Sequence, residues 1–215
     1  PDMQAIIVIG DIDVNQIENK IKTIFSDIPA PAVPTQKVEY KIPANEEPVF
    51  GIITDKEATS SQIELLWKGE PLPMELNNTD IAYSMDMVKA FISIIMRERF
   101  SDITSKPNAP FIGAQFGIGK LCNTCEAVSG NVSFKDGEGL KAFNAFLLEI
   151  EKLRRYGFTE AEVTRAKENI LQAYERAVEA AATRKNAEFV RPILNNFFFN
   201  EPILTPETDQ QIAQA

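Results

Sequence analysis

The stretch FIGAQFGIGKLCNTCEAVSGNVSF, residues 111–134, contains two apolar segments separated by a short polar turn. It predicts a hairpin with strands over residues 111–121 and 126–134. Upstream, in residues 62–67, Ile63, Leu65 and Trp67 alternate with the residues between them, as in a half-buried strand. These three segments are predicted strands of one sheet.

Further strands are predicted over residues 5–9, an unbroken apolar run, and over residues 37–42 and 49–54. One helix is predicted to begin after the cap residue Asp13 and to end at Ile28-Pro29. Others are predicted over residues 78–100, 136–156, 159–183 and 187–198, and residues 210–215 are typical of the start of another. The strands are grouped between helices without regular βαβ alternation. This order favours an α+β fold with a mixed, largely antiparallel sheet and helices packed on one face.

Several helix ends carry their own signals. Asp13 with Gln16, and Thr159 with Glu162, have the spacing of capping boxes, and Asp136 is a candidate N-cap. Gly157 occupies the position of a left-handed C-cap after the helix that ends near Tyr156. These signals fix the expected helix boundaries independently of the apolar pattern.

Composition restricts the chemistry that this chain can perform. Its 215 residues carry a formal net charge of −9, which disfavours nucleic acid as a partner, and no apolar stretch is long enough to span a membrane. Histidine is absent. Ser-His-Asp and Cys-His catalysis, histidine acid–base chemistry and histidine-ligated zinc are therefore excluded within the chain, and we expect no catalytic, cofactor-binding or metal-binding residues.

Cys122 and Cys125 form a lone C-x-x-C between two predicted strands. A redox motif is expected at a strand-to-helix junction, and zinc would need two further ligands. Unpaired thiols or a local disulfide are favoured, with redox or metal function as the alternative.

Other motifs have simpler structural explanations. Gly10 alone cannot supply a dinucleotide-binding turn, which needs three spaced glycines. Carboxylate pairs such as Glu160/Glu162 and Glu175/Glu179 are expected on exposed helix faces, where general acid–base chemistry is disfavoured.

An ordered set of segments resembles the second domain of insulinase/pitrilysin-family zinc metallopeptidases, the inverzincins. The similar segments are residues 1–13 with Ile28-Pro29, 97–100 with 108–111, 157–163 with 166–167, 174–176 and 197–202, in the order found in long bacterial members. The resemblance implies a non-catalytic α+β roll over residues 1–200, with residues 201–215 starting a linker to the next half of the parent. It also implies that an H-x-x-E-H zinc site lies in an upstream domain.

By the family's internal pseudo-symmetry, Arg97 or Arg99 could take the place of an arginine that binds substrate in the last domain. Phe111 stands where that domain has a tyrosine, and it offers no hydroxyl donor. All three are candidate chamber-lining residues. This departure suits a domain that walls the chamber rather than a catalytic one.

The leading hypothesis is a scaffold and chamber-wall domain of a zinc metalloendopeptidase. Its partners would be the neighbouring domains of the parent and the peptide substrate, and the resemblance suggests the periplasm. The first alternative is a domain of a catalytically inactive family member that serves as a structural or peptide-binding subunit. The second is a free-standing thiol protein that uses Cys122 and Cys125.

Overall fold

A computed structural model describes residues 2–214. Its sheet contains β1 (Ser61–Gly69), β2 (Gly113–Cys122) and β3 (Cys125–Phe134) in the order β1-β3-β2. Both pairings are antiparallel, and the register places Val132 opposite Ile63 on one side and opposite Ala114 on the other. The predicted hairpin and the predicted strand upstream of it are therefore confirmed.

The described residues also form six α-helices. They are α1 (Val14–Phe25), α2 (Asp80–Thr104), α3 (Gly139–Tyr156), α4 (Glu160–Glu179), α5 (Ala187–Phe199) and α6 (Pro206–Gln214). Of these, α2 and α3 make most of the contacts with the sheet. Short 3-10 turns precede α2 and follow α4, at Met74–Leu76 and Ala181–Thr183. None of the helices in this part of the chain is long and apolar enough to cross a membrane. The architecture is α+β, as the sequence predicts.

Two of the predicted caps form as expected. The Asp13 carboxylate accepts a hydrogen bond from the Gln16 backbone amide at 3.0 Å, and Thr159 and Glu162 form a reciprocal capping box. Gly157 ends α3 with a φ of 65°, which glycine adopts without steric cost. The third cap is wrong, because Glu138 occupies the N-cap position of α3 without a side-chain bond, while Asp136 accepts from the Ser61 hydroxyl at 3.2 Å.

The core lies between one face of the sheet and the helices α2 and α3. Phe100 and Phe146 stack with ring centroids 5.4 Å apart, and Phe111 meets Phe100 edge-on at 6.0 Å. Met96, Val132 and Ala142 complete this cluster of buried residues. A Cβ atom on Gly130 would lie 2.5 Å from Phe146, so glycine there allows the aromatic ring to rest against the β3 backbone.

The three remaining strand predictions are wrong. Residues 5–9, 37–42 and 49–54 are irregular and have no ladder partner. Apolar side chains within them are largely exposed, most of all Ile53 at 97%. A strand needs a neighbouring strand for its backbone hydrogen bonds, and these β-prone segments lie outside the sheet.

A polar contact fastens the C-terminal helix to the body of the domain. The Tyr83 hydroxyl of α2 donates to an Asp209 carboxylate oxygen of α6 at 2.8 Å and lies 3.0 Å from the Tyr174 hydroxyl of α4. Burial and these two hydrogen bonds raise the pKa of Tyr83 well above its ordinary value. The range expected to begin a linker, residues 201–215, therefore includes a helix that packs on the domain.

Candidate functional site

The three candidate chamber-lining residues occupy different environments. Arg97 is exposed on α2, Arg99 is half-buried two residues later, and Phe111 is a core residue. The structure does not bring the three side chains to one surface. Their proposed role in lining a chamber remains a prediction, and Arg97 is the one whose side chain is free of the core.

Arg99 joins the long helix α2 to the start of α4. Its Nε and Nη2 atoms donate to the two Glu162 carboxylate oxygens at 2.6 and 2.9 Å, and Nη2 also donates to the Gly157 carbonyl at 2.9 Å. The guanidinium carbon lies 5.7 Å from the centre of the Phe158 ring. This bidentate, partly buried pairing is a structural clamp between two helices.

Glu162 is engaged from two directions, which corrects the expectation that its carboxylate lies on an exposed helix face. The Arg99 guanidinium, followed by hydrogen bonds from the backbone and hydroxyl of Thr159, holds the pKa of Glu162 at about 2. The same carboxylate thus completes the cap of α4 and the ion pair with α2. A carboxylate with so low a pKa stays ionised near neutral pH and is unsuited to general acid chemistry.

Part of the sheet face opposite the core is an open surface with convergent polar groups. Gln62, Glu64, Gln115, Asn131 and Ser133 line a groove of about 700 Å³ on it. The Asn131 side-chain amide donates to the Gln62 carbonyl oxygen at 3.3 Å, and the Ser133 hydroxyl donates to the Gly113 carbonyl at 3.3 Å. The groove offers amide, hydroxyl and carboxylate groups for hydrogen bonding, with no histidine or thiol among its lining residues.

Sequence reasoning missed this groove as a site. Its signal is the alternation in residues 62–67 and 111–134, in which polar or small residues occupy the positions between those that face the core. That alternation predicts a half-buried sheet. Whether the polar face is solvated or covered by a helix depends on tertiary packing, which no local pattern encodes.

A second open groove, of about 600 Å³, lies along α5. It is lined by Arg184, Ala187, Glu188, Arg191, Pro192, Asn195, Glu201 and Pro202. Its charged groups are partly paired within the chain, since Arg184 lies 4.3 Å from the Phe189 ring centre and Asn195 donates to Glu201 at 2.8 Å. Sequence reasoning gave no indication of it.

The predicted hairpin tip contains both cysteines as free thiols, Cys122 exposed and Cys125 buried. No cluster of three or more Cys, Asp and Glu side chains within residues 2–214 is arranged to hold a metal ion. The two thiols by themselves supply half of a tetrahedral zinc site, and the sequence contains no histidine to supply the rest. These residues do not fit a zinc ion.

The chain matches one protein family over most of its length. Residues 1–170 match the family described as the peptidase M16 inactive domain. The chain belongs to this family. This family match confirms the resemblance to insulinase/pitrilysin-family zinc metallopeptidases that the sequence shows.

Individual relatives agree with this assignment. The M16 domain is 24% identical over its full length to the probable zinc protease PqqL of Escherichia coli K12, and it spans 23% of that protein. It also resembles the crystal structure of the first half of the E. coli periplasmic protease PqqL, with a TM-score of 0.81 and 22% identity over 95% of the domain and 43% of that chain. A predicted insulinase family protease from Yersinia pestis shares the fold, with a TM-score of 0.74 and 18% identity over the same fractions.

Proposed function

We propose that this M16 inactive domain is a non-catalytic scaffold and chamber wall of a zinc-dependent metalloendopeptidase. In this proposal another domain of the parent protein binds zinc and cleaves the peptide. The domain supplies a rigid body against which the zinc domain packs, and one of its surfaces contacts the substrate. Its partners are the neighbouring domains and the peptide.

The observation that supports the wall role is the open part of the sheet face opposite the core. Helices α2 and α3 pack on the face that holds Val132, while Gln62, Glu64, Gln115 and Asn131 remain accessible on the other. Amide and hydroxyl side chains can hydrogen-bond to peptide groups of many sequences without demanding a particular side chain. Such a surface suits a wall that tolerates varied peptides.

Similarity supports the position and the compartment. The fold resembles the first half of a protease whose structure is described as periplasmic, and the chain spans about a quarter of the curated relative's length. We therefore place the domain second in a long parent chain, with Arg97 as a candidate contact on the same chamber, and place the parent in the periplasm. The cysteine-free groove and the zinc-incompatible cysteine pair are consistent with a zinc site elsewhere.

The decisive experiment uses the parent protein with its zinc domain. Gln115→Trp fills the open sheet face, and Gln172→Trp introduces the same bulk at an exposed position of α4. If the open face lines the chamber, Gln115→Trp raises KM for a long peptide by about tenfold, which corresponds to the loss of about 1.4 kcal/mol of binding. Gln172→Trp leaves KM unchanged.

Equal effects of the two variants would contradict the wall role. Zinc-dependent turnover by the 215-residue chain alone would contradict the non-catalytic role. A parent that binds the peptide but shows no turnover, and that lacks H-x-x-E-H upstream, would instead support the structural or peptide-binding subunit.

A further inference from the structure

The tip of the β2–β3 hairpin brings the two thiols of the chain together. Cys122 and Cys125 face each other in the strand register across the two-residue turn Asn123-Thr124, and the register shifts between Lys120 and Cys122. Directly opposed residues of an antiparallel pair have Cα atoms about 4.5 or 5.5 Å apart. Both values lie within the range of about 4.4 to 6.8 Å that a disulfide requires. The strand pairing therefore places the two cysteines at a Cα separation compatible with a disulfide.

The two sulfur atoms differ in their access to solvent. Cys122 is exposed, whereas Cys125 is 2% exposed and its thiol donates to the Glu126 carbonyl at 3.4 Å. The Cys122 Sγ lies 3.6 Å from the Thr124 hydroxyl. Contacts with the Thr124 hydroxyl and with the Thr124 backbone amide lower the pKa of the Cys122 thiol. A thiolate is the nucleophile in disulfide exchange, so this asymmetry distinguishes an attacking thiol from a resolving one.

We propose that Cys122 and Cys125 are a reversible thiol–disulfide pair, in which exposed Cys122 reacts with a low-molecular-weight disulfide such as oxidised glutathione and buried Cys125 resolves the adduct. This inference rests on the hairpin alone and does not depend on the proposed peptidase role.

The exchange takes place in two steps. The Cys122 thiolate attacks one sulfur of oxidised glutathione, its S–S bond breaks, and one glutathione thiolate leaves as a mixed disulfide forms on Cys122. Cys125 then loses its proton and attacks the Cys122 sulfur, which releases the second glutathione thiolate. The cysteine pair gives up two electrons, the glutathione disulfide accepts them, and the two protons from the cysteines end on the two glutathione thiols.

Oxidation would affect the contacts of the turn. Thr124 donates its hydroxyl to the Tyr40 carbonyl at 2.8 Å, and this bond ties the hairpin tip to the irregular segment before β1. In the reduced form the Cys122 sulfur is next to the same hydroxyl. When the Cys122 sulfur forms a disulfide with Cys125, a covalent bond closes the hairpin next to the hydrogen bond between Thr124 and Tyr40.

The test equilibrates the chain in glutathione buffers, traps free thiols with iodoacetamide and digests it with trypsin. Cleavage after Lys120 and Lys135 places both cysteines in one peptide, residues 121–135. In oxidising buffer this peptide should lose the mass of two hydrogens and take up no alkyl group. Oxidation should also raise Tm by about 2 to 6 °C, because a short loop is closed. Full alkylation of both thiols in oxidising buffer, or a disulfide between two chains, would overturn the proposal.

Two single variants test the division of roles. Cys125→Ala should stop at the mixed disulfide, with one glutathione on Cys122. Cys122→Ala should leave Cys125 at least about tenfold slower to react until urea exposes it, since buried thiols react slowly. Circular dichroism confirms that each variant is folded. Equal reaction rates in the two folded variants would overturn the assignment of Cys122 as the attacking thiol.

Discussion

Residues 2–60 and residues 61–179 have similar proportions of apolar residues but bury them to different extents. The buried hydrophobic side chains all lie between Ala82 and Ile170, and none lies in residues 2–60. The second region contains the sheet and the helices that pack on it. In the first region, α1 is the one regular element.

Helix α1 forms although the three strands predicted in the same region do not, which shows what local sequence can determine. A helix makes its hydrogen bonds within itself, so Asp13 and a short apolar stripe suffice to define α1 although it buries no residue. A strand must find a partner. Residues 49–54 have the composition of a strand, yet Ile53 is almost fully exposed because no neighbouring strand pairs with them.

The largest expected difference between the two regions concerns their phenylalanines. Phe146 is fully buried against Phe100 and Gly130, whereas Phe50 is 88% exposed. Phe146→Ala should lower the free energy of unfolding by about 3 to 5 kcal/mol, because it removes buried surface and leaves a cavity. Phe50→Ala should change it by less than about 0.5 kcal/mol. Urea denaturation followed by circular dichroism measures both.

A large loss from Phe50→Ala would mean that residues 49–54 are packed in solution, and the comparison of the two regions would fail. Unfolding midpoints must be compared at equal denaturant dependence, since a change in slope signals a change in the surface exposed on unfolding. Phe50 and Phe146 undergo the same chemical change. The difference between the variants therefore reports chiefly the difference in burial, since the helix propensity that Ala adds in α3 is worth less than about 1 kcal/mol.

Much of the second region was predictable because its signals agree at several levels. The hairpin has a turn, an apolar pattern and a partner next to it in sequence, so its strands were placed to within about two residues, the usual uncertainty of such boundaries. Thr159 and Glu162 likewise predicted the start of α4. The absence of strands over residues 5–9, 37–42 and 49–54 was not predictable. These residues have the propensity to form strands, but the fold gives them no neighbouring strand to pair with.

The candidate site was predictable only in part. The absence of histidine excluded zinc ligation by imidazole, and the spacing of Cys122 and Cys125 placed both at the hairpin tip. The environments of Arg97 and Arg99 could not be read from sequence, because residues two positions apart in a helix point to different sides, and the fold decides which neighbour covers each side. Only the fold shows that Arg99 reaches Glu162, 63 positions away.

The next largest difference concerns ion pairs. Glu162→Gln removes the charge opposite half-buried Arg99, and a glutamine at this position can still bond to the cap of α4. It should lower the free energy of unfolding by about 1 to 3 kcal/mol. Glu18→Gln breaks an exposed pair with Lys22 in α1 and should cost less than about 0.5 kcal/mol. Similar losses from both variants would show that burial does not set the strength of these pairs.

The pH dependence of stability isolates the same pair. The pKa of Glu162 is lowered from 4.5 to about 2 on folding, so its contribution is complete above the unfolded value and is lost as the pH falls toward 2. The difference in unfolding free energy between the wild type and Glu162→Gln should therefore shrink between about pH 5 and pH 2. Taking this difference cancels the pH-dependent contributions of the other carboxylates, which both proteins share. A gap that stays constant over this interval would contradict the assigned pKa.

The smallest expected effect separates local from global stability at two helix caps. Thr159→Ala removes the side-chain bond to the Glu162 amide at the start of α4, whose Ala166 and Ile170 are buried, and should cost about 1 kcal/mol of global stability. Asp13→Ala removes the equivalent bond in α1. Since α1 buries no residue, its fraying should speed amide hydrogen exchange in residues 14–25 while the urea midpoint stays the same. A lowered midpoint for Asp13→Ala would mean that α1 belongs to the cooperative unit despite its exposure, and the boundary between the two regions would then move toward the N-terminus.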